Sequence, residues 1–380
     1  MPPDPPEGMF LARPERLPDG IPVAVKDLFD TAGLTTTYGS VLFADHVPRE
    51  TAESVRRLEA AGYAVVGKSN LHEFAYGVTS QNEHFGTVPN PVAPGRLAGG
   101  SSGGSGAALA AGIVDAALGS DSGGSIRIPA AWCGVVGFKP TYGLVPSEGC
   151  FPLAPGYDHV GPMGRTVEDC TAMMCALAPG LEPRRLESLE ELEVGVAWLD
   201  GCEPLVRARV EAAAALFPRA RPVEFPLPEQ AESAVFRREV ADVHRDLFAE
   251  HADSYGASVR RKIERCLETG DGEYERGLDS LREYRERGTE ALDELDLLVT
   301  PTLAFVAPPA EVEERTIREA TIRRTYPFDA LGWPALALPC GSAEDGLPAS
   351  VQLVGRRDDD ALVLAAAALL ASLLRGTTPA

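Results

Sequence analysis

Two glycine-rich turns and one lysine hold the residues best suited to chemistry. Ser101 lies in Gly99-Gly-Ser-Ser-Gly-Gly104, and Ser125, 24 residues on, closes Gly119-Ser-Asp-Ser-Gly-Gly-Ser125. Lys26 precedes Ser101 by 75 residues and ends the short β-branched run Ile21-Pro-Val-Ala-Val25. A lysine and two loop serines can transfer an acyl group without histidine. The nucleophile needs an exposed hydroxyl on a tight turn, and glycines leave nearby backbone N–H groups open to an oxyanion. The base must be a neutral lysine, hence a desolvated one. Lowering a lysine from about 10.4 to roughly 7–8 means about 3–5 kcal/mol against the charged form. A second serine can relay the proton. Taken singly, each residue also has a plainer reading: a turn serine, or a solvated charge at a strand end.

Other motifs compete with this reading. Gly62-Tyr-Ala-Val-Val-Gly67-Lys68-Ser69 fits the phosphate-loop pattern letter for letter. Its four inner residues favour a strand, however, so Lys68 is expected to end a buried strand. Gly100-Ser101-Ser102-Gly103-Gly104 fits the nucleophile elbow. That motif needs a strand before the serine, and Pro94 to Gly99 does not resemble one. It also needs a histidine, and His159, His244 and His251 are expected on surfaces or in loops. Cys133 reads as a small buried hydrophobe. Lys139 reads as structural, Lys262 as a solvated charge on a helix, and His72 and His84 as structural neighbours of the cleft.

The supporting elements follow from pattern. Thr51 to Ala61 has helical apolar spacing and stops at Gly62. Tyr63–Val66, Val135–Phe138, Leu297–Thr300 and Ala335–Leu338 read as buried strands. Residues 95–106 feed a small-residue helix at Ala107–Ala111, and Gly119–Ser125 reads as a second turn. Residues 181–295 are charged and mostly helical in pattern. Leu267, Tyr274, Leu278, Leu281 and Tyr284 mark an apolar stripe there, resuming at Leu292 and Leu295. Residues 1–20 are Pro-rich and read as extended.

The 380 residues carry 56 acidic and 35 basic side chains, a formal net charge of −21. That balance argues against a nucleic-acid backbone or an anionic membrane as main partner. Hydrophobic residues make up 44% and charged residues 24%, which is globular composition. The first residues show no signal peptide, and Ala361–Leu374 is too short to span a bilayer. The seven cysteines form no C-x-x-C pair, and Cys170 and Cys175 lie five apart. A reduced cytoplasmic protein without a zinc site is expected.

Several runs together resemble the amidase signature family. They are Gly99–Gly106, Gly119–Pro129, Gly134–Gly143, Ile21–Asp27, Val66–Phe74, Thr300-Pro-Thr302 and Leu338-Pro-Cys-Gly341. The likeness is dense over 20–180, looser over 293–356 and weak over 181–290. It implies an α/β fold, a large mixed β-sheet covered by helices on both faces. One domain, 1–380, is implied: a catalytic core (1–180), a charged helical insertion (181–290) and a C-terminal completion of the core (291–380). The family's triad is Ser–cis-Ser–Lys. Carried over, Ser125 is the nucleophile, Ser101 the cis-serine relay and Lys26 the base. The backbone of Ser122, Gly123 and Gly124 would form the oxyanion hole, and Ser102, Asp121 and Arg127 would support the loop. No metal or organic cofactor is implied.

The implied activity is hydrolysis of a small linear carboxylic amide through a seryl acyl-enzyme. The alternatives are the glutaminase subunit of a glutamyl-tRNA amidotransferase and an inactive relative used for binding. The amidotransferase branch carries glutamine where this chain has Ile128, which favours the stand-alone amidase. No membrane partner is expected, nucleic acid only for the amidotransferase alternative, and a homodimer is left open. Members usually have an N-terminal helical segment before the lysine, and only 25 residues precede Lys26. Lys26 is therefore expected to be less covered, with its pKa correspondingly higher.

Overall fold

The computed structural model describes residues 5–377. The strands in chain order are β1 (Phe10–Ala12), β2 (Ile21–Lys26), β3 (Tyr63–Ser69), β4 (Gln81–Asn82), β5 (Gly86–Thr87), β6 (Ala116–Asp121) and β7 (Val136–Lys139). They continue with β8 (His159–Gly164), β9 (Val194–Val196), β10 (Ala220–Pro222), β11 (Leu297–Pro301), β12 (Ala335–Ser342) and β13 (Pro348–Val354). Eleven of them form one mixed sheet in the order β1-β3-β2-β6-β8-β7-β12-β13-β11-β9-β10, and β4 and β5 pair separately. Every residue of β3, β6, β7, β8 and β11 is buried, so helices and loops cover both faces of the sheet.

The helices are α1 (Glu53–Ala60), α2 (Gly103–Ala110), α3 (Arg127–Cys133), α4 (Val167–Leu177), α5 (Pro204–Ala214) and α6 (Ser233–His251). After them come α7 (Ala257–Leu267), α8 (Asp271–Ala291), α9 (Glu314–Ile322), α10 (Tyr326–Leu331) and α11 (Asp360–Thr377). Helix α2 is made of glycine, serine, alanine and leucine, so its backbone can press close to its neighbours. A Cβ on Gly104 would lie 2.5 Å from the Asn70 carbonyl oxygen, which only glycine avoids. Among the described residues, no helix is long and apolar enough to cross a membrane.

The structure departs from the sequence expectations at several points. Gly119–Asp121 belongs to β6, so the turn is confined to Ser122–Ile126. The 181–290 segment is not purely helical, because β9 and β10 extend the sheet at its far edge. Three-residue strands are too short to show a period. The stripe is divided as well: Leu267 ends α7, and on α8 Leu281 and Tyr284 are buried while Leu278 is 37% exposed. Strand β8, His-Val-Gly-Pro-Met-Gly, is not among the strands expected from the sequence, yet it pairs with both β6 and β7. Burial between two strands overrides its poor β-propensity.

Candidate active site

Strand β2 runs parallel to β6, with Val25 beside Leu118, and Lys26, at the end of β2, follows that last pair. The Lys26 Nζ donates to Ser101 Oγ at 2.7 Å and to Ser120 Oγ at 2.8 Å. Burial lowers its pKa to about 7, partly opposed by Cys150, Asp121 and Asp158. The expectation of a thinly covered lysine is overturned, since Lys26 has no exposed surface. Cys150 and Asp158, from the segment between β7 and β8, lie close enough to act on it electrostatically.

Ser101 follows a cis peptide bond from Gly100. Its carbonyl accepts from the His72 N–H at 3.2 Å and from Ser80 Oγ at 3.1 Å. Ser102 ties the two serine turns together. Its N–H donates to the Ser125 carbonyl at 3.2 Å, and its hydroxyl donates to the Ser120 carbonyl at 3.2 Å. Ser125 is 9% exposed and borders a cleft of about 570 Å³ that Ser122 and Gly123 also line. The structure therefore joins Lys26 directly to Ser101. Ser125 is linked to them through the backbone, and its hydroxyl makes no hydrogen bond within the protein among the described residues.

The turn before Ser125 is braced by Asp121. One carboxylate oxygen accepts from the Gly124 N–H at 2.5 Å, and the other from the Ile126 N–H at 3.1 Å. The buried Arg127 side chain closes on the same carboxylate at 3.0 Å and reaches Asp329 at 2.7 Å and Gln352 at 2.8 Å. Burial opposes the Asp121 charge, but Arg127 beside it holds the carboxyl well below the usual range. Gly124 has φ +127° and packs against Thr325, so a side chain fits neither the backbone nor the space. Because Asp121 takes the Gly124 N–H, the N–H groups of Ser122, Gly123 and Ser125 are the ones without a protein acceptor among the described residues.

The competing motifs resolve structurally. Gly62–Ser69 forms a turn and β3, with no phosphate loop. The Lys68 amine is bound to the Phe29 carbonyl at 2.5 Å, Thr36 at 2.7 Å and Asp27 at 3.2 Å. Gly99–Ser102 passes from coil into α2 without a preceding strand. His159 and His244 are buried at 2% and 0% exposure, contrary to the expected surface positions, because β8 and α6 pack into the core. Only His251, of these three, is exposed. Cys133 is buried, and desolvation pushes its thiol up to about 12. Lys139 is buried as well, its amine bound to the Trp333 carbonyl at 2.5 Å.

His84 contacts Glu73 at 2.9 Å, and His72 lies 3.6 Å from Glu314. Glu73 and Glu83 receive the first N–H groups of α7, from Gly256, Ala257 and Ser258, and so anchor that helix to the catalytic half. Lys262 is not solvated as expected. It donates to Glu314 at 2.7 Å and to the Tyr76 carbonyl, and burial lowers its pKa to about 8. Sequence reasoning also missed Ser120, which meets Lys26 only through the folded packing of β2 beside β6. Asp158 was missed too. It accepts from Ser122 Oγ at 2.5 Å, and burial raises its pKa to about 6.

The sequence model of the Amidase family matches residues 12–364. AtzE of Pseudomonas sp., a component of 1-carboxybiuret hydrolase, is 37% identical over 94% of this chain and 85% of its own. A glutamyl-tRNA(Gln) amidotransferase subunit from Natronomonas pharaonis is 34% identical over 93% of this chain and 95% of its own. A crystal structure described as an amidase superposes with a TM-score of 0.84 at 37% identity, covering 93% of this chain and 84% of that one. The long serine-glycine signature, the mixed sheet and these relatives agree: the chain belongs to the amidase signature family, whose members act on C–N amide bonds.

Proposed function

We propose that the protein hydrolyses a small linear carboxylic amide through an acyl-enzyme on Ser125. The carrying observation is the fully buried Lys26 amine, 2.7 Å from Ser101 Oγ and with a pKa near 7. Neutral Lys26 takes a proton from Ser101 as Ser101 takes one from Ser125. The Ser125 oxygen then attacks the carbonyl carbon, and the C=O electron pair moves onto the oxyanion. The N–H groups of Ser122, Gly123 and Ser125 would hold that oxyanion, with Gly124 kept in place by Asp121. As the C–N bond breaks, the same relay returns the proton to the departing amine. Water then attacks the ester, and the carboxylic acid leaves. The continuous sheet from β1 to β10 supports reading the chain as one domain.

Fluorophosphonate labelling with peptide mapping tests the assignment. An adduct on Ser125 is expected. An adduct on Ser102, or no adduct, would overturn it. The near full-length likeness to the Natronomonas amidotransferase protein supports a second reading, as the glutaminase component of such a complex. Glutaminase activity that appears only with partner proteins would favour that reading.

A further inference from the structure

The protein carries a formal net charge of −21, yet the charged residues lining its cleft are mostly basic. Helix α7 lines it with Ser258, Arg261, Lys262 and Arg265, positions i, i+3, i+4 and i+7 of one face. The neighbouring α9 adds Arg315 and Arg318 beside Glu314 and Glu319, and α6 adds Arg237.

These charges differ in how far they are already satisfied. Arg237 pairs with Glu273, and Arg315 with Glu313, both partners lying outside the lining. Lys262 and Arg318 hold the buried Glu314 from two sides, at 2.7 and 2.9 Å, which leaves one surplus positive charge. Arg261 and Arg265 are exposed and form no ion pair among the described residues. Glu319 is the lining carboxylate left to oppose them. Two unpaired arginines one turn apart repel each other across the helix face. An acidic chain could have paired them readily. An anion relieves that repulsion, and planar guanidinium groups suit the oxygens of carboxylate and phosphate.

We propose that Arg261 and Arg265 form an anion subsite, so that the preferred substrate is an amide also bearing a carboxylate or phosphate group. The inference rests on Ser125 being the reacting serine of the same cleft. Its test reads binding rather than turnover. The Ser125→Ala protein is titrated calorimetrically with succinamate and with succinamide, which differ by one carboxylate in place of an amide. A second pair, O-phospho-N-acetylethanolamine and N-acetylethanolamine, asks the same of phosphate and separates the two anions.

At least one anion is expected to bind about tenfold tighter than its neutral partner, about 1.4 kcal/mol. That preference should fall towards one in the Arg261→Gln/Arg265→Gln double variant and in raised salt. It should survive Arg276→Gln, which removes an exposed charge from α8 outside the cleft lining. Equal binding within both pairs, no binding by either anion, or a preference that survives the double variant overturns the proposal. If the preference holds in the Ser125→Ala protein but fluorophosphonate leaves Ser125 of the wild type unlabelled, the Ser125 assignment alone is refuted.

Discussion

Replacing Lys26 by methionine separates the cost of burying a lysine from its use. The side chain has no exposed surface, and its pKa is lowered to about 7. In the unfolded chain a lysine titrates near 10.4. Between those values the unfolded chain holds a proton that the folded chain has released. The stability due to this group is therefore complete above about pH 10.4 and is lost as the pH falls towards 7. Each unit in that window is worth about 1.4 kcal/mol, so going from about pH 9 to 7 costs the wild type roughly 2–3 kcal/mol that Lys26→Met does not lose. Losing the hydrogen bonds to Ser101 and Ser120 adds an offset of about 1–3 kcal/mol that does not vary with pH in this window. Urea unfolding of both proteins at several pH values reads the slope of their difference, and that slope isolates Lys26 from Lys68, Lys139 and Lys262. The variant should also lose about 10²–10⁴ in kcat. Stability curves that stay parallel from pH 9 to 7 would refute a depressed pKa. Retained amide turnover would refute the base assignment.

Wild-type kcat/KM should rise with pH through an apparent pKa near 7, because only the neutral amine can accept the proton. Ser120→Ala removes an acceptor that favours the ammonium, so that acid limb should move below pH 7 while kcat falls about tenfold, as a pH–rate profile would show. Asp121→Asn takes the charge from buried Arg127 and an acceptor from the Ser125 turn. A loss of about 3–5 kcal/mol in urea unfolding is expected. Gly124→Ala places a methyl group against Thr325 at φ +127°, so both thermal stability and Ser125 labelling should drop, with stability falling by about 1–3 kcal/mol.

The parts legible in the sequence are those whose chemistry is written within a few residues. Lys26, Ser101 and Ser125 stood out because glycine-rich turns and a strand-end lysine carry their own local reasons. Strands β2, β3 and β7 were legible for the same cause, each being a short β-branched run. Strand β8 was not, since its glycines and proline become a strand only between β6 and β7. Asp329 and Gln352, which complete the grip on Arg127, lie more than 200 residues away from it and carry no motif.

The sign of the cleft was the hardest thing to read, because composition pointed the other way. A net charge of −21 argues against anionic partners for the surface as a whole. A site, however, answers to the charges within a Debye length, about 8–10 Å at ordinary salt, and not to the sum over the molecule. Lys262 shows how the local sign arises. Read alone on a charged helix, it is a solvated residue. Folded, it meets Glu314, which Arg318 also holds, so the carboxylate cannot cancel both cations. Arg261 and Arg265 then line the cleft without an ion-pair partner among the described residues, while neighbouring Glu264 pairs with Arg260, and Glu73 and Glu83, brought to α7 by the fold, cap its first N–H groups. The excess of acid that makes the surface negative thus coexists with a positive cleft. Substrate preference should accordingly follow the local balance rather than the global one.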